Sequence, residues 1–116
     1  MATLLVDRDL IDEIRFIERA TGRVDLLSSL VLSLERNLAE FDAAFSACLG
    51  RGDTIGAARA AHTLKGACGQ LGAKALGQLF DDIECCAKAG DSAEAKRKFD
   101  AATALIAQSL EALKQA

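Results

Sequence analysis

The sequence predicts an all-α fold, an up-down-up-down antiparallel four-helix bundle with a short extra N-terminal helix. The chain of 116 residues contains no proline and is rich in good helix formers such as Ala, Leu, Glu, Lys, Arg and Gln. Its apolar residues recur at steps of three and four, and short segments with Gly, Asp or Ser separate these stretches. Because no linker interrupts the pattern, residues 1–116 are expected to form a single domain.

The first predicted helix, residues 7–20, is short and stops before Gly22. Its expected inward face carries Leu10, Ile14 and Ile17. A helix of this length is expected to cover one end of the bundle instead of forming a full member of it.

The second and third predicted helices carry long apolar stripes. Residues 24–49 form the second helix, and its stripe is Leu27, Leu30, Leu34, Leu38, Phe41, Phe45 and Cys48. Asp53 is expected to cap the third helix, which continues to Gly72. The inward face of this third helix carries Ala57, Ala61, Leu64, Cys68 and Leu71.

Two further helices complete the predicted bundle. Residues 73–89 form the fourth helix, and its stripe is Leu76, Phe80, Ile83 and Ala87. Asp91 and Glu94 resemble an acidic capping box at the start of the fifth helix. The stripe of the fifth helix is Ala95, Phe99, Ala102, Ile106, Leu110 and Leu113. Short connections require neighbouring helices to run antiparallel.

Charge and hydropathy narrow the class of partner. The net charge of -3 disfavours nucleic acid and anionic membranes as partners. The N-terminal residues lack the pattern of a signal peptide, and no apolar stretch approaches the length of a membrane span. We therefore expect a cytoplasmic, monomeric protein with a protein partner.

The cysteines show no pattern of a disulfide framework or a metal site. The chain has 4 Cys and 1 His, without a CxxC pair. Cys48 and Cys68 fall on apolar stripes and are expected to be small buried thiols. At most one of the adjacent Cys85 and Cys86 can face the core. No metal ligand is therefore expected.

His62, the only histidine, is predicted to project from the solvent-facing side of the third helix. On a wheel of about 100° per residue, Leu64 and the rest of the apolar stripe lie on the opposite side. The neighbours of His62 on its own face are Ala58, Gly66 and Gly69, with Arg59 and Lys65 on the two flanks. A glycine within a helix costs about 0.5–1 kcal/mol relative to alanine, so these two glycines are expected to leave room for an approaching macromolecule.

An exposed neutral imidazole has a nucleophilic ring nitrogen and can accept a phosphoryl group. Lys65, one turn away, is within reach to screen the added negative charge. Arg51, Arg59, Lys65 and Lys74 outnumber Asp53 around the histidine, and this positive excess suits an acidic partner site.

The residues alone leave other interpretations open. A lone surface histidine is usually an ordinary solvated side chain, and glycines also serve close helix packing. A Ser-His-Asp or Cys-His hydrolase needs a nucleophile and an orienting group beside the ring, where this helix has Ala, Gly, Lys and Arg. Nucleotide binding is not supported, because the sequence has no glycine-rich phosphate loop after a strand.

The segment AHTLKGACGQLGAKAL, residues 61–76, resembles the AHxLKGxxxxxG signature of the histidine-containing phosphotransfer (HPt) domain family. Looser matches lie before this helix, in the next helix and before the last one, at Gly52, Asp53, Leu79, Glu84 and residues 89–91. The resemblance implies a four-helix phosphorelay intermediate. In such a protein His62 is phosphorylated by an aspartyl phosphate of one receiver domain and passes the phosphoryl group to another receiver.

The resemblance also implies roles for the neighbours of the histidine. Lys65 would favour the phosphorylated form, Gly66 and Gly69 would provide clearance for the docking receiver, and Gln70 would be a polar contact there, although the family favours a smaller polar residue at this position. Partner docking is further expected of Arg59, Ala58 and Ile55, with packing under the first helix as the alternative for Ile55.

No cofactor is expected in the chain itself, because Mg²⁺ and the activated acyl phosphate would belong to the partner receiver domain of a response regulator or hybrid sensor kinase. Such a chain is a phosphotransferase intermediate without a kinase site of its own, so whether it is called an enzyme is a matter of naming. The alternative function is a non-catalytic helical docking module that binds receivers or other signalling proteins.

Overall fold

Helices make up most of the described part of the chain. The computed structural model describes residues 5–116, and in this part the chain forms six helices and no strand. The helices are α1 (Arg8–Thr21), α2 (Leu26–Gly50), α3 (Thr54–Leu71), α4 (Lys74–Lys88), α5 (Ser92–Asp100) and α6 (Thr103–Lys114). The all-α prediction is confirmed, whereas the single-domain prediction also includes residues 1–4, which lie outside the described part. None of the described helices combines the length and the apolarity that crossing a membrane requires.

Aspartate caps and glycines set the helix ends. Asp7, Asp53 and Asp91 accept backbone N–H groups in the first turns of α1, α3 and α5, which satisfies donors that have no partner within the helix. Gly22 and Gly72 follow α1 and α3 with φ of 75° and 71°, a left-handed conformation that favours glycine. Both ends of α3 are therefore fixed by the residues that predicted them.

The inward stripes of α2, α3 and α4 form one core. α3 packs against both α2 and α4. Phe41 is at the centre of an aromatic cluster, with ring centroids 4.8 Å from Phe45, 5.1 Å from Phe80 and 4.9 Å from Phe99. The inward residues of α3 are all buried, namely Ala57, Ala61, Leu64, Cys68 and Leu71. This packing directs one side of α3 into the core and leaves the opposite side to solvent.

The predicted fifth helix is divided into α5 and α6, so its prediction as one helix was wrong. At the junction the N–H of Ala102 bonds to the carbonyl of Phe99, three residues back, at 3.0 Å. This tighter turn interrupts the α-helical ladder without a glycine or proline to mark it. Ala95, Ala102 and Leu113 are nevertheless all buried, so the apolar period continues across the break.

The buried face of α1 is rotated from the predicted one: Ile14 is buried and Leu10 is partly buried against the core, as predicted, but Ile17 is not. Ile17 was expected to point inward but is 47% exposed, whereas Ile11 and Glu18 are buried. The Glu18 carboxylate accepts the N–H of Leu27 at 3.0 Å and pairs with Arg15 at 2.8 Å. The hydrogen bond from the Leu27 N–H foremost, and then the one from Arg15, hold the pKa of Glu18 below its ordinary value. A polar contact to the start of α2 therefore sets the rotation of α1.

Candidate functional site

The structure places the His62 side chain on the solvent-facing side of α3, where the sequence predicts it. The side chain is 66% exposed. Ala61 and Leu64, which flank it on the helix, are buried and hold the opposite side of α3 in the core. The backbone under the imidazole is therefore fixed while the ring is open to an incoming molecule.

A carboxylate from the next helix holds one nitrogen of this ring. The Nδ1 atom of His62 lies 3.3 Å and 3.2 Å from the two carboxylate oxygens of Glu84 on α4. Because an ionised carboxylate only accepts hydrogen bonds, this contact assigns a proton to Nδ1. In the neutral ring the lone pair then lies on Nε2, which is the nucleophilic nitrogen.

Glu84 is a buried charge with three cationic or hydrogen-bonding partners. Its carboxylate lies 2.8 Å from Lys88 Nζ and 3.2 Å from Lys65 Nζ, in addition to the His62 ring. Lys88 foremost, then Lys65 and His62, lower the pKa of Glu84 from 4.5 to about 2. Glu84 is therefore ionised at neutral pH. Among residues 5–116, no group of His, Cys, Asp and Glu side chains is placed to hold a metal ion.

Lys65 bridges two carboxylates beside the ring. Its Nζ lies 3.1 Å from Asp81 Oδ1 and 3.2 Å from Glu84 Oε1. These partners, Asp81 first, raise the pKa of Lys65 above its ordinary value, so the side chain is an ammonium group. Its side chain is 37% exposed and remains accessible from the surface that carries the histidine.

Most of the positive side chains predicted around the histidine form ion pairs within the chain. The local excess of positive charge is therefore smaller than the sequence predicted. Arg51 lies 3.6 Å from Asp53, and Lys74 lies 3.9 Å from Asp7. Arg59 is exposed and forms no ion pair with the described residues 5–116. The surface is consequently a mixture of paired charges with Arg59 as an available cation.

Gly66 and Gly69 face open space. A Cβ atom added at either position would meet nothing within 4 Å. Gly56 on the same helix differs, because an added Cβ would lie 2.9 Å from Cys48 Sγ and would overlap the Asp53 carboxylate. Packing inside the chain therefore explains Gly56, but it gives no reason for glycine at 66 or 69.

A groove between α3 and α4 runs alongside the histidine. It is lined by Thr54, Ile55, Ala58, Arg59, His62, Glu84, Ala87 and Lys88. Ile55 is 72% exposed, so its alternative placement under the first helix was wrong. Ala58 is buried in the groove, whereas Gln70 is exposed and does not line it. The structure thus brings Ile55, Ala58 and Arg59 together with the histidine and leaves Gln70 outside this group.

One feature of the sequence indicates the contact between Glu84 and His62, although the apolar period alone did not predict it. Glu84 is four residues after Phe80 and three before Ala87, on the inward stripe of α4. A carboxylate at a buried position requires partners, and an exposed histidine on the neighbouring helix is a suitable one. Asp81 is three residues before Glu84, and Lys88 is four residues after it. Neither gave a comparable signal in the sequence, because both lie toward the surface.

Comparison with known protein families identifies the family of this chain. Neither the comparison with curated proteins nor that with solved structures gave a match. The model of the Hpt domain family matches residues 25–116. This range contains α2 to α6 and includes His62, Lys65 and Glu84. Since the match covers most of the chain, the protein belongs to the Hpt domain family.

Proposed function

We propose that this chain is a phosphohistidine carrier of a multistep two-component phosphorelay. His62 would accept a phosphoryl group from the aspartyl phosphate of one receiver domain and pass it to an aspartate of another. Membership of the Hpt domain family supports histidine phosphotransfer in general. The observation that carries the assignment to His62 is an exposed ring whose Nδ1 faces a buried carboxylate at 3.2 Å.

The geometry favours attack by Nε2. The Nε2 lone pair forms the bond to phosphorus, and the bond between phosphorus and the aspartyl oxygen of the receiver breaks, so the receiver carboxylate leaves with that electron pair. The phosphorylated imidazole retains its Nδ1 proton and gains positive charge. The Glu84 carboxylate, at 3.2 Å from Nδ1, stabilises this charge and no proton has to leave. Transfer to the next receiver reverses these steps.

The surroundings of the ring support docking of a folded domain. Gly66 and Gly69 present no side chain, and both positions are open. Ile55 and Arg59 supply an exposed apolar contact and an available cation beside the ring. Lys65, whose Nζ lies 3.1 Å from Asp81 Oδ1, would turn from this partner to interact with the phosphoryl oxygens.

The remaining expectations belong to the same proposal. The short connections between α2, α3 and α4 favour the antiparallel up-down-up-down order predicted for four long helices. The chain would act in the cytoplasm, without ATP or a cofactor of its own, and Mg²⁺ would be held by the receiver domain. Gln70 stays a prediction as a polar contact, at a greater angle from the ring than the glycines.

Transfer from a phosphorylated receiver tests the proposal. The wild-type chain is expected to acquire acid-labile, alkali-stable label, and the His62→Gln variant is expected to acquire none. Label on folded His62→Gln would refute the assignment. A wild-type chain that binds receivers without accepting label, with affinity unaffected by His62→Gln and weakened by Gly66→Leu, would instead establish the non-catalytic docking module.

A further inference from the structure

The outward face of α1 exposes large apolar side chains although the helix is firmly placed. Phe16 is 64% exposed and Ile17 is 47% exposed. Arg15 donates to the backbone carbonyl of Ala116 at 2.6 Å, and Glu18 accepts the N–H of Leu27 at 3.0 Å. Because these contacts anchor α1 on its inner side, the outward direction of Phe16 is a defined feature of the fold. α1 also precedes residues 25–116, which the Hpt domain family model matches.

Apart from Arg8, which lies about 80° round the helix from Phe16, the charges on this face are separated along the helix. Asp9, Asp12 and Glu13 precede Phe16, and Arg19 follows it. All are exposed, and the described residues 5–116 provide no ion-pair partner for any of these four charged side chains. On a wheel of about 100° per residue, Asp12 and Arg19 lie about 40° and 60° to the same side of Phe16. Asp12 is four residues before Phe16, and Arg19 is three residues after it.

We propose that this face of α1 binds a second copy of the chain, as an antiparallel two-fold pair centred on Phe16. A two-fold axis through the contact places the two Phe16 rings together and brings residues that precede the centre opposite residues that follow it. The two-fold rotation keeps each residue on the same flank of the interface, so Asp12 of one copy lies opposite Arg19 of the second copy. The symmetry repeats this ion pair, so the interface has an apolar centre and two complementary charge pairs.

The charge pattern selects this occupant and this orientation. A parallel pair would place the acidic halves of the two helices against each other, which is unfavourable. The groove beside His62 is lined by residues of α3 and α4 and by none of α1, so the proposed interface does not use the residues of that groove. The proposal does not depend on phosphotransfer, and it replaces the expectation of a monomer from the sequence.

Sedimentation equilibrium of the whole chain over a series of concentrations tests the interface. The wild type is expected to show a monomer–dimer equilibrium, and Phe16→Glu is expected to raise the dissociation constant about tenfold or more. Ile55→Glu is the matched control, since Ile55 is also an exposed apolar side chain, at 72%, but lies beside His62. A wild type that is monomeric at all concentrations, or a dimer that is lost in Ile55→Glu and kept in Phe16→Glu, would overturn the proposal.

Charge exchange tests the antiparallel register. Asp12→Arg and Arg19→Asp are each expected to weaken self-association, because each places like charges together. An equimolar mixture of these two variants is expected to associate more tightly than either alone, since both ion pairs form across the mixed dimer. Circular dichroism melts check that the variants fold. A mixture that associates no better than its components refutes the pairing of position 12 with position 19.

Discussion

Removing the carboxylate that orients the ring is expected to slow phosphoryl transfer without unfolding the protein. Glu84 lies 3.2 Å from His62 Nδ1 and is the only described protein group bonded to that nitrogen. A hydrogen bond to a charged group contributes about 1.5–3 kcal/mol, and each 1.36 kcal/mol is about tenfold in rate. Because the ring is 66% exposed and water can replace part of this contact, the lower end applies. Glu84→Ala is therefore expected to reduce the transfer rate about tenfold.

Glu84→Gln separates orientation from charge. The glutamine retains an oxygen that can accept the Nδ1 proton, so the expected loss of rate is smaller than in Glu84→Ala. Rapid quenching of single-turnover transfer from a saturating phosphorylated receiver measures the rates. Asp82→Ala is the matched control, because Asp82 is on the same helix and accepts from Gln78 at 3.0 Å, away from the ring. A folded Glu84→Ala variant with the wild-type rate would refute the role of the carboxylate, and equal losses in both variants would assign the effect to charge.

Further expected outcomes concern stability, lifetime and reactivity. Gly66→Ala should increase the free energy of unfolding in urea by about 0.5–1 kcal/mol, because its Cβ meets open space, whereas Gly66→Leu should slow receiver transfer. Lys65→Ala should shorten the half-life of the phosphorylated chain, followed by loss of label, with an unchanged melting temperature; an unchanged half-life would exclude Lys65 from stabilising the phosphoryl group. The partners of Glu84 lower its pKa from 4.5 to about 2. The ionised carboxylate therefore contributes fully to the stability of the fold above pH 4.5, and this contribution is lost as the pH falls through about 2. Acid unfolding of Glu84→Gln should accordingly be less steep over that interval than that of the wild type. Burial raises the pKa of the Cys68 thiol to about 12, so alkylation of the native protein at mildly alkaline pH should modify exposed Cys85 and spare Cys68, as measured by peptide mass spectrometry.

The sequence predicted α3 well because the determinants of that helix are local. Asp53 caps its start, Gly72 ends it, and its apolar residues keep one period throughout. The direction of His62 follows from the same period, since a residue opposite a buried stripe faces solvent. Local signals of this kind need no knowledge of which helix packs against which.

The features that the sequence did not predict depend on contacts between elements. The rotation of α1 is set by Glu18 reaching the N–H of Leu27, and an apolar stripe alone does not show such a contact. The break between α5 and α6 has no glycine or proline and keeps the apolar period, so only the backbone reveals it. The partner of the histidine is 22 residues away on another helix. Periodicity gives the direction of a side chain but not the side chain that it meets.

A phosphoryl carrier has to satisfy two opposed physical requirements, and the network around Glu84 meets both. The accepting nitrogen must be open to a docking domain, yet a fully solvated imidazole has no fixed orientation. Here the ring is exposed while its other nitrogen is held by a buried carboxylate. That buried charge requires cations, and Lys88, at 2.8 Å, supplies one that is distinct from Lys65. Lys65 can consequently turn toward a phosphoryl group without leaving Glu84 unpaired. We therefore expect Lys88→Ala alone to shorten the lifetime of the phosphorylated form and to reduce the further effect of Lys65→Ala, because Lys65 is then held at Glu84.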